Sequence, residues 1–219
     1  MVEHQLRRLS TPRAAALAGV LFALIFGAAL ILIRTALPTG GAPGSQWVDG
    51  SRQLRTAAVL MPFAGIAFLW FIGVVRDGFG RYEDRFFATV FFGSGLLFLG
   101  MMFVAAGVGA GLEAMTGHGA ASEAVFFGQS VLLAISKTYA LRMAAVFMVS
   151  LATIWLRTGL MPRPLVWGTY LVAVVLLVAA EISMWLTLAF PAWVLVVSAL
   201  LLRRGLTLPP GAAPQPDTV

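Results

Sequence analysis

Long stretches without a charged residue constrain this chain more than any other feature of its sequence. The first, from Ala14 to Ile33, has 20 residues, and a helix needs about 20 predominantly apolar residues to cross a bilayer core of about 30 Å. A later stretch, from Phe86 to Leu112, has 27 residues. A water-soluble domain carries about 25% charged residues, whereas this chain has 11%. These features predict an integral membrane protein.

The apolar stretches predict an all-α fold, a polytopic transmembrane helix bundle with six spans. The last stretch, Leu165 to Leu202, is interrupted only by Glu181, and its 38 residues would make about 57 Å of helix, too long for one crossing. It is therefore predicted to fold as a hairpin with its turn near residues 181–186. The predicted spans lie at residues 14–33, 56–75, 86–112, 124–156, 165–182 and 185–202.

These spans form one predicted transmembrane domain over residues 1–207. A tail rich in Pro and Ala follows at residues 208–219 and is predicted to be disordered and cytoplasmic. Residues 124–135 have two interpretations, because they either extend the fourth span or lie along the membrane interface as a separate short helix.

The distribution of arginine predicts which way the spans run. With the N-terminus in the cytoplasm, the inner segments hold ten arginines and the outer segments hold three, and cytoplasmic loops carry the excess of Lys and Arg. Both termini are therefore predicted to be cytoplasmic, in a bacterial inner (plasma) membrane. The net charge of +6 reflects this asymmetry and an attraction to anionic lipids, and it implies no nucleic-acid partner.

Five charged residues at unusual positions are the candidate functional residues. A Lys or Arg at the centre of a membrane helix costs on the order of 2.5–3.5 kcal/mol. Counted from the inner ends of the spans, Arg142 lies about 21 Å up, Glu181 about 24 Å and Lys137 about 28 Å. Similar depths on neighbouring spans predict a cluster in the outer half of the bilayer, to which the outer surface adds Arg34 and Arg55.

Two interpretations of this cluster stay open at the level of the sequence. The functional one is a site for an anion or a lipid headgroup that faces the outer leaflet. The structural one is a buried ion pair, with the other cations extending to the interface, for which Lys137 and Arg34 are shallow enough. Arg142 with Glu181 is the deeper pair and the better functional candidate.

The rest of the sequence offers little chemistry. Glu113, His118 and Glu123 surround one predicted turn, where a metal or proton site is one interpretation and a solvated polar turn is the favoured one. With no Cys and two His, disulfides, thiol catalysis and a haem or metal centre are not expected. No phosphate-binding loop or zinc-protease motif is present, so neither a cofactor nor a catalytic residue is predicted.

Small residues mark helix faces that allow close approach of a second helix. Gly19 and Gly27 lie on one face of the first span, and Gly107 and Gly111 form a Gly-x-x-x-Gly pattern on the third. Packing within the chain is the expected use of these faces, and packing against a partner is the alternative. Trp47, Trp167 and Trp193 are interpreted as anchors at the membrane interface.

Three segments resemble a known group of proteins: FLWFIGVVRDGFGRYEDRFFATVFFGSGLLF (Phe68–Phe98), YALRMAAVFMVSLATIWLRTGLMPR (Tyr139–Arg163) and FPAWVLVVSALLL (Phe190–Leu202). They are similar to a family of uncharacterised multi-span integral membrane proteins common in actinobacteria. The resemblance covers roughly spans two to six. It implies a membrane fold and a host group, and it brings no activity and no residue roles.

The sequence favours a non-enzymatic protein, an accessory or assembly subunit of a cell-envelope membrane complex, with lipid-transport machinery as one host. The alternative is a small lipid or anionic-solute transporter that uses the outer cationic site. A membrane enzyme is the second alternative. The predicted partners are membrane lipids and other membrane-protein subunits.

Overall fold

A computed structural model describes residues 11–36, 51–77, 85–115, 122–179 and 184–207. The described residues are helical apart from a short connection at residues 159–162. The helices are α1 (Thr11–Ala36), α2 (Ser51–Asp77), α3 (Arg85–Met115), α4 (Ser122–Leu133), α5 (Ala140–Thr158), α6 (Arg163–Ala179) and α7 (Ala189–Thr207), with a π-helical turn (Ala134–Tyr139) between α4 and α5 and a 3₁₀ helix (Met184–Leu188) before α7.

Five described helical stretches are long and apolar enough to cross a membrane: Ala16–Ala36, Arg52–Arg76, Phe86–Met115, Glu123–Thr158 and Trp185–Arg203. α6 is also apolar but has 17 residues, about 25 Å of helix. An all-helical chain with several apolar helices is confirmed at this level and indicates a multi-pass membrane protein. The count of six spans and the orientation of the termini stay predictions, and the predicted tail lies outside the described residues.

Residues 124–135 extend the fourth helical stretch. α4, the π-helical turn and α5 follow one another without a break from Ser122 to Thr158. Leu133 and Ala140, on the two sides of the turn, both have right-handed helical backbone angles. Of the two alternatives that the sequence leaves open, the structure therefore shows the one in which residues 124–135 extend the fourth helical stretch.

The helices pack in a ring. α1 packs along α2 and α7, α2 also packs on α3, α3 packs on α5, and α5 packs on α6. α6 and α7 are consecutive in the chain but touch each other only slightly, and the Trp193 Nε1–H donates a hydrogen bond across them to Thr169 Oγ1 at 2.9 Å. α7 is therefore held in the bundle mainly by its contact with the first helix, α1, and this contact closes the bundle.

Phenylalanine side chains fill the centre of the ring. The Phe68 ring of α2 lies at the hub of a cluster in which each of four other helices contributes one buried ring. Its centroid lies 4.6 Å from that of Phe22 in α1, 5.5 Å from Phe98 in α3, 5.4 Å from Phe147 in α5 and 5.9 Å from Phe190 in α7. All four pairs are tilted or edge-to-face, and aromatic rings prefer edge-to-face over directly stacked arrangements. This aromatic layer fixes the heights of the five helices relative to one another.

Trp193 belongs to this core. Its side chain is only 6% exposed, its ring centroid lies 6.1 Å from that of Phe190, and its N–H is bonded to Thr169. A buried indole needs an acceptor for its N–H, and a threonine of the neighbouring α6 supplies it. The interpretation of Trp193 as an anchor at the interface is therefore wrong.

The small-residue faces differ in use. A β-carbon at Gly19 would overlap Ser198 Oγ of α7 and lie 2.8 Å from the Phe71 ring of α2. At Gly27, Gly107 and Gly111, no described atom outside the local helix lies within 4 Å of where a β-carbon would be. Packing inside the chain is therefore confirmed for Gly19, whereas the other three glycines have no such contact with the described residues.

Candidate functional site

Arg34 lies in the last turn of α1, on the helix face that points into the bundle. This face carries buried residues at intervals of four, namely Phe22, Phe26 and Leu30, and the next position in that series is Arg34. Twelve residues separate Arg34 from Phe22, so it lies about 18 Å from the aromatic layer. The end of the bundle where α1 and α3 end and α2 and α4 begin is called the Arg34 end below.

The Arg34 guanidinium has no hydrogen-bond partner among the described residues. The side chain is 3% exposed, and its Nε and both Nη atoms are buried without an acceptor. An ion buried in this way costs several kcal/mol, whereas the C-terminal end of a helix favours a cation by only about 0.3–1 kcal/mol. The helix end therefore does not offset the cost. The structure shows the Arg34 side chain buried in the protein, and its extension to the membrane interface, expected under the structural interpretation, stays a prediction.

Arg55 shares the height of Arg34 but not its environment. The Phe68 ring of α2 contacts the Phe22 ring of α1, and α2 returns along α1. Position 56, twelve residues before Phe68, therefore lies at the same height as Arg34, twelve residues after Phe22. Arg55 is exposed there, and its neighbour Leu54 is buried. Of these two arginines, only Arg34 points into the bundle.

Lys137 and Arg142 are half-buried on a different part of the ring. Lys137 lies in the π-helical turn and Arg142 in the first turn of α5, and both make contacts within the protein. Five residues separate Arg142 from Phe147, so it lies about 7.5 Å from the aromatic layer, while Lys137 lies about 15 Å from it. Measured from the aromatic layer, Arg142 therefore does not reach the height of Arg34, whereas Lys137 lies closer to that height.

Two of the predicted residues lie outside the described part of the chain. One is Glu181, so its pairing with Arg142 stays a prediction. The other is His118. Of its predicted neighbours, Glu113 is half-buried and Glu123 is exposed. The described residues contain no group of three His, Cys, Asp or Glu side chains that could hold a metal ion.

Two buried polar residues escaped the sequence analysis. Gln129 of α4 is 7% exposed and Ser136 of the π-helical turn is 2% exposed, and neither Gln129 Nε2 nor Ser136 Oγ has a hydrogen-bond partner in the described structure. A signal existed, because Gln129 is the one amide side chain in the fourth apolar stretch. Ser136 follows it by seven residues, which is two helical turns and places both on one face.

The buried polar side chains of Arg34, Gln129 and Ser136 are chemically alike, because each can donate a hydrogen bond. Leu132, between Gln129 and Ser136, lies 3.3 Å from where a Gly109 β-carbon would be, and Leu54 lies 3.7 Å from the same point. The face that carries Gln129 therefore reaches α2 near its start.

Guanidinium and amide N–H groups pair best with phosphate or carboxylate oxygens, so the Arg34 end is suited to an anion.

Known proteins provide no guide to this site. No family model, no curated protein and no solved structure matches the chain.

Proposed function

We propose that this chain is a multi-pass protein of the bacterial inner membrane, with six spans and both termini in the cytoplasm, that binds an anionic group at Arg34 as part of lipid or anionic-solute transport. In this orientation the Arg34 end faces the outer leaflet. The observation that supports the proposal is the Arg34 guanidinium, buried without a protein acceptor. Ionisable residues kept inside a membrane protein commonly mark substrate or ion pathways.

The ligand chemistry follows from the guanidinium. Its planar fork donates two parallel hydrogen bonds to one phosphate or carboxylate group. A lipid headgroup and a free anion both present such a group. The apolar helices around the site favour the headgroup, because the outer leaflet would lie beside the end of α1.

Replacing Arg34 with methionine is expected to stabilise the ligand-free protein and to abolish anion binding. Methionine keeps an unbranched side chain and removes the buried charge, a change that is often stabilising. In neutral detergent, the Tm of Arg34→Met should therefore exceed that of the wild type by a few degrees. Phosphatidylglycerol at 100 times its Kd should stabilise the wild type by about 2.7 kcal/mol, and this effect should be lost in the variant.

Arg55→Met is the matched control, since it removes the same charge at the same height from an exposed position. Its response to phosphatidylglycerol should equal that of the wild type. Inorganic phosphate separates the two ligand sources. A Tm increase with phosphate alone identifies a soluble anion, and an increase only with phosphatidylglycerol identifies the headgroup.

A stable pair between Arg34 and Glu181 would overturn the proposal. In that case Arg34→Met and Glu181→Gln would each lower the Tm, and the double variant would lose less than the sum of the two. Phosphatidylglycerol would then still raise the Tm of Arg34→Met.

A second candidate function, an accessory or assembly subunit of a cell-envelope complex, is favoured by one face of α3. Gly107 and Gly111 are spaced as in helix-pairing motifs, and no described atom outside the local helix occupies the space beside them. Such a face allows the close approach of a helix from another subunit.

Purification from native membranes in mild detergent tests this second function. Mass spectrometry should find stoichiometric partner subunits with the wild type, and Gly107→Leu should lose them. Gly73→Leu is the control, because Gly73 of α2 also has open space beside it. A wild-type chain that purifies without other subunits contradicts the accessory role.

A further inference from the structure

A groove of about 670 Å³ runs along α3 beside the π-helical turn. Its lining is apolar and comes from α3 between Gly93 and Val104, together with Ile135 and Tyr139 of the π-helical turn. Eleven residues of helix give it a length of about 16 Å. Val104 and Tyr139 are each 55% exposed, so the groove opens on the surface of the bundle and not into its aromatic core.

Two glycines create this groove. No described atom outside the local helix lies within 4 Å of where a β-carbon would be at Gly93 or Gly100, so the hollow exists because side chains are missing there. A glycine inside a helix lowers stability by roughly 0.5–1 kcal/mol relative to alanine. Since the two glycines are seven residues apart, they lie on one face and keep the hollow continuous.

One cation, Arg142, lies on the side of the groove that the fourth helical stretch forms. Arg142 follows Tyr139 by three residues and Ile135 by seven, so it continues the helix face that lines the groove. Lys137 is two residues from both Ile135 and Tyr139, so it lies on the opposite face of the π-helical turn. The α3 residues along the groove are uncharged, so the local electrostatic field favours an anionic occupant.

The dimensions favour a hydrocarbon chain over a helix. A volume of 670 Å³ spread over about 16 Å of length gives a groove about 7 Å across. A helix with its side chains is about 10–12 Å in diameter, which is too wide to enter. A single extended acyl chain is slender enough, and the apolar lining offers it no unpaired polar group.

We propose that this groove binds one acyl chain of an anionic lipid, with the lipid headgroup held toward Arg142. The site lies on the α3 and α5 side of the ring, whereas Arg34 lies on α1. It is therefore a second lipid site, independent of the anion site proposed at Arg34.

Filling the groove with Gly100→Leu tests this proposal. Leucine has space at this position and a higher helix propensity than glycine, so the protein should fold with an unchanged or slightly higher Tm. Native mass spectrometry after incubation with phosphatidylglycerol should show at least about a tenfold loss of affinity at one of two sites. Gly168→Leu is the matched control, because Gly168 of α6 is exposed and has open space beside it, and it should retain both lipids.

Arg142→Gln tests the headgroup separately. This variant should lose the preference for phosphatidylglycerol over neutral phosphatidylcholine at the groove while still binding a lipid there. Arg34→Met should lose the other phosphatidylglycerol and keep the one in the groove, so failure at one site is distinguishable from failure at the other. The proposal is overturned if Gly100→Leu retains phosphatidylglycerol as the wild type does, or if it retains the lipid and instead loses a bound protein.

Discussion

Phe68→Ala is expected to lower the free energy of unfolding by about 2–4 kcal/mol, the largest effect of any single substitution considered for this protein. The Phe68 ring is fully buried and contacts rings from α1, α3, α5 and α7. Truncation leaves a cavity where five helices meet. The effect is smaller than the about 3–5 kcal/mol typical of a water-soluble core, because lipid solvates apolar groups in the separated helices as well.

The measurement is a thermal melt of the purified protein in mild detergent, in which the Tm of Phe68→Ala should fall by roughly 5–15 °C. Trp70→Ala is the matched control. Trp70 lies two residues away on the same helix and is 69% exposed, so its removal should change the Tm by no more than a degree or two. Equal losses for the two variants would show that the aromatic layer does not hold the helices together.

Gly19→Leu is expected to destabilise the protein by about 3 kcal/mol. The new side chain would meet Ser198 Oγ and the Phe71 ring, so α1 could not keep its present distance from α2 and α7. A flexible side-chain tip can move aside, but the Phe71 ring is fixed in the core. The gain in helix propensity from glycine to leucine, about 0.8–1 kcal/mol, is too small to compensate.

Gly27→Leu provides the comparison, because it makes the same change on the same helix where no described atom outside the local helix lies within 4 Å. Its Tm should equal or slightly exceed that of the wild type. Combining Gly19→Ala with Ser198→Ala should recover part of the stability lost in Gly19→Ala, because the Oγ overlap disappears and the Phe71 contact stays. Gly19→Leu with a wild-type Tm would show that α1 and α7 are not in close contact.

The positions of the helices could be predicted because a bilayer sets their length and composition. A run such as Ala14–Ile33 has few alternatives to a span, and a 38-residue apolar block must turn. The residues at which the helices begin and end were harder to predict from the sequence. α2 begins at Ser51 instead of residue 56, because polar residues continue a helix into the interface. Residues 124–135 could not be assigned, because an interfacial helix and the continuation of a span have the same composition.

The candidate site shows a different limit of what can be predicted from the sequence. Residue counting along α1 predicts the height of Arg34, and its spacing from Phe22 and Leu30 shows which helix face carries it. Which faces are buried, however, depends on the helices that pack there, and a single sequence does not contain that arrangement. Arg34 therefore resembled a flanking cation, and Trp193 resembled an interface anchor, although the structure buries both.

The closing contact between α1 and α7 has a consequence for how the protein is made. Gly19 and Ser198 are 179 positions apart in the chain, and synthesis proceeds from the N-terminus. During translation α1 can pair with α2 as soon as both are inserted. Its second face has to wait until α7, the last described helix, has been made. A nascent or truncated chain without α7 therefore presents the Gly19 face of α1 to any other helix nearby.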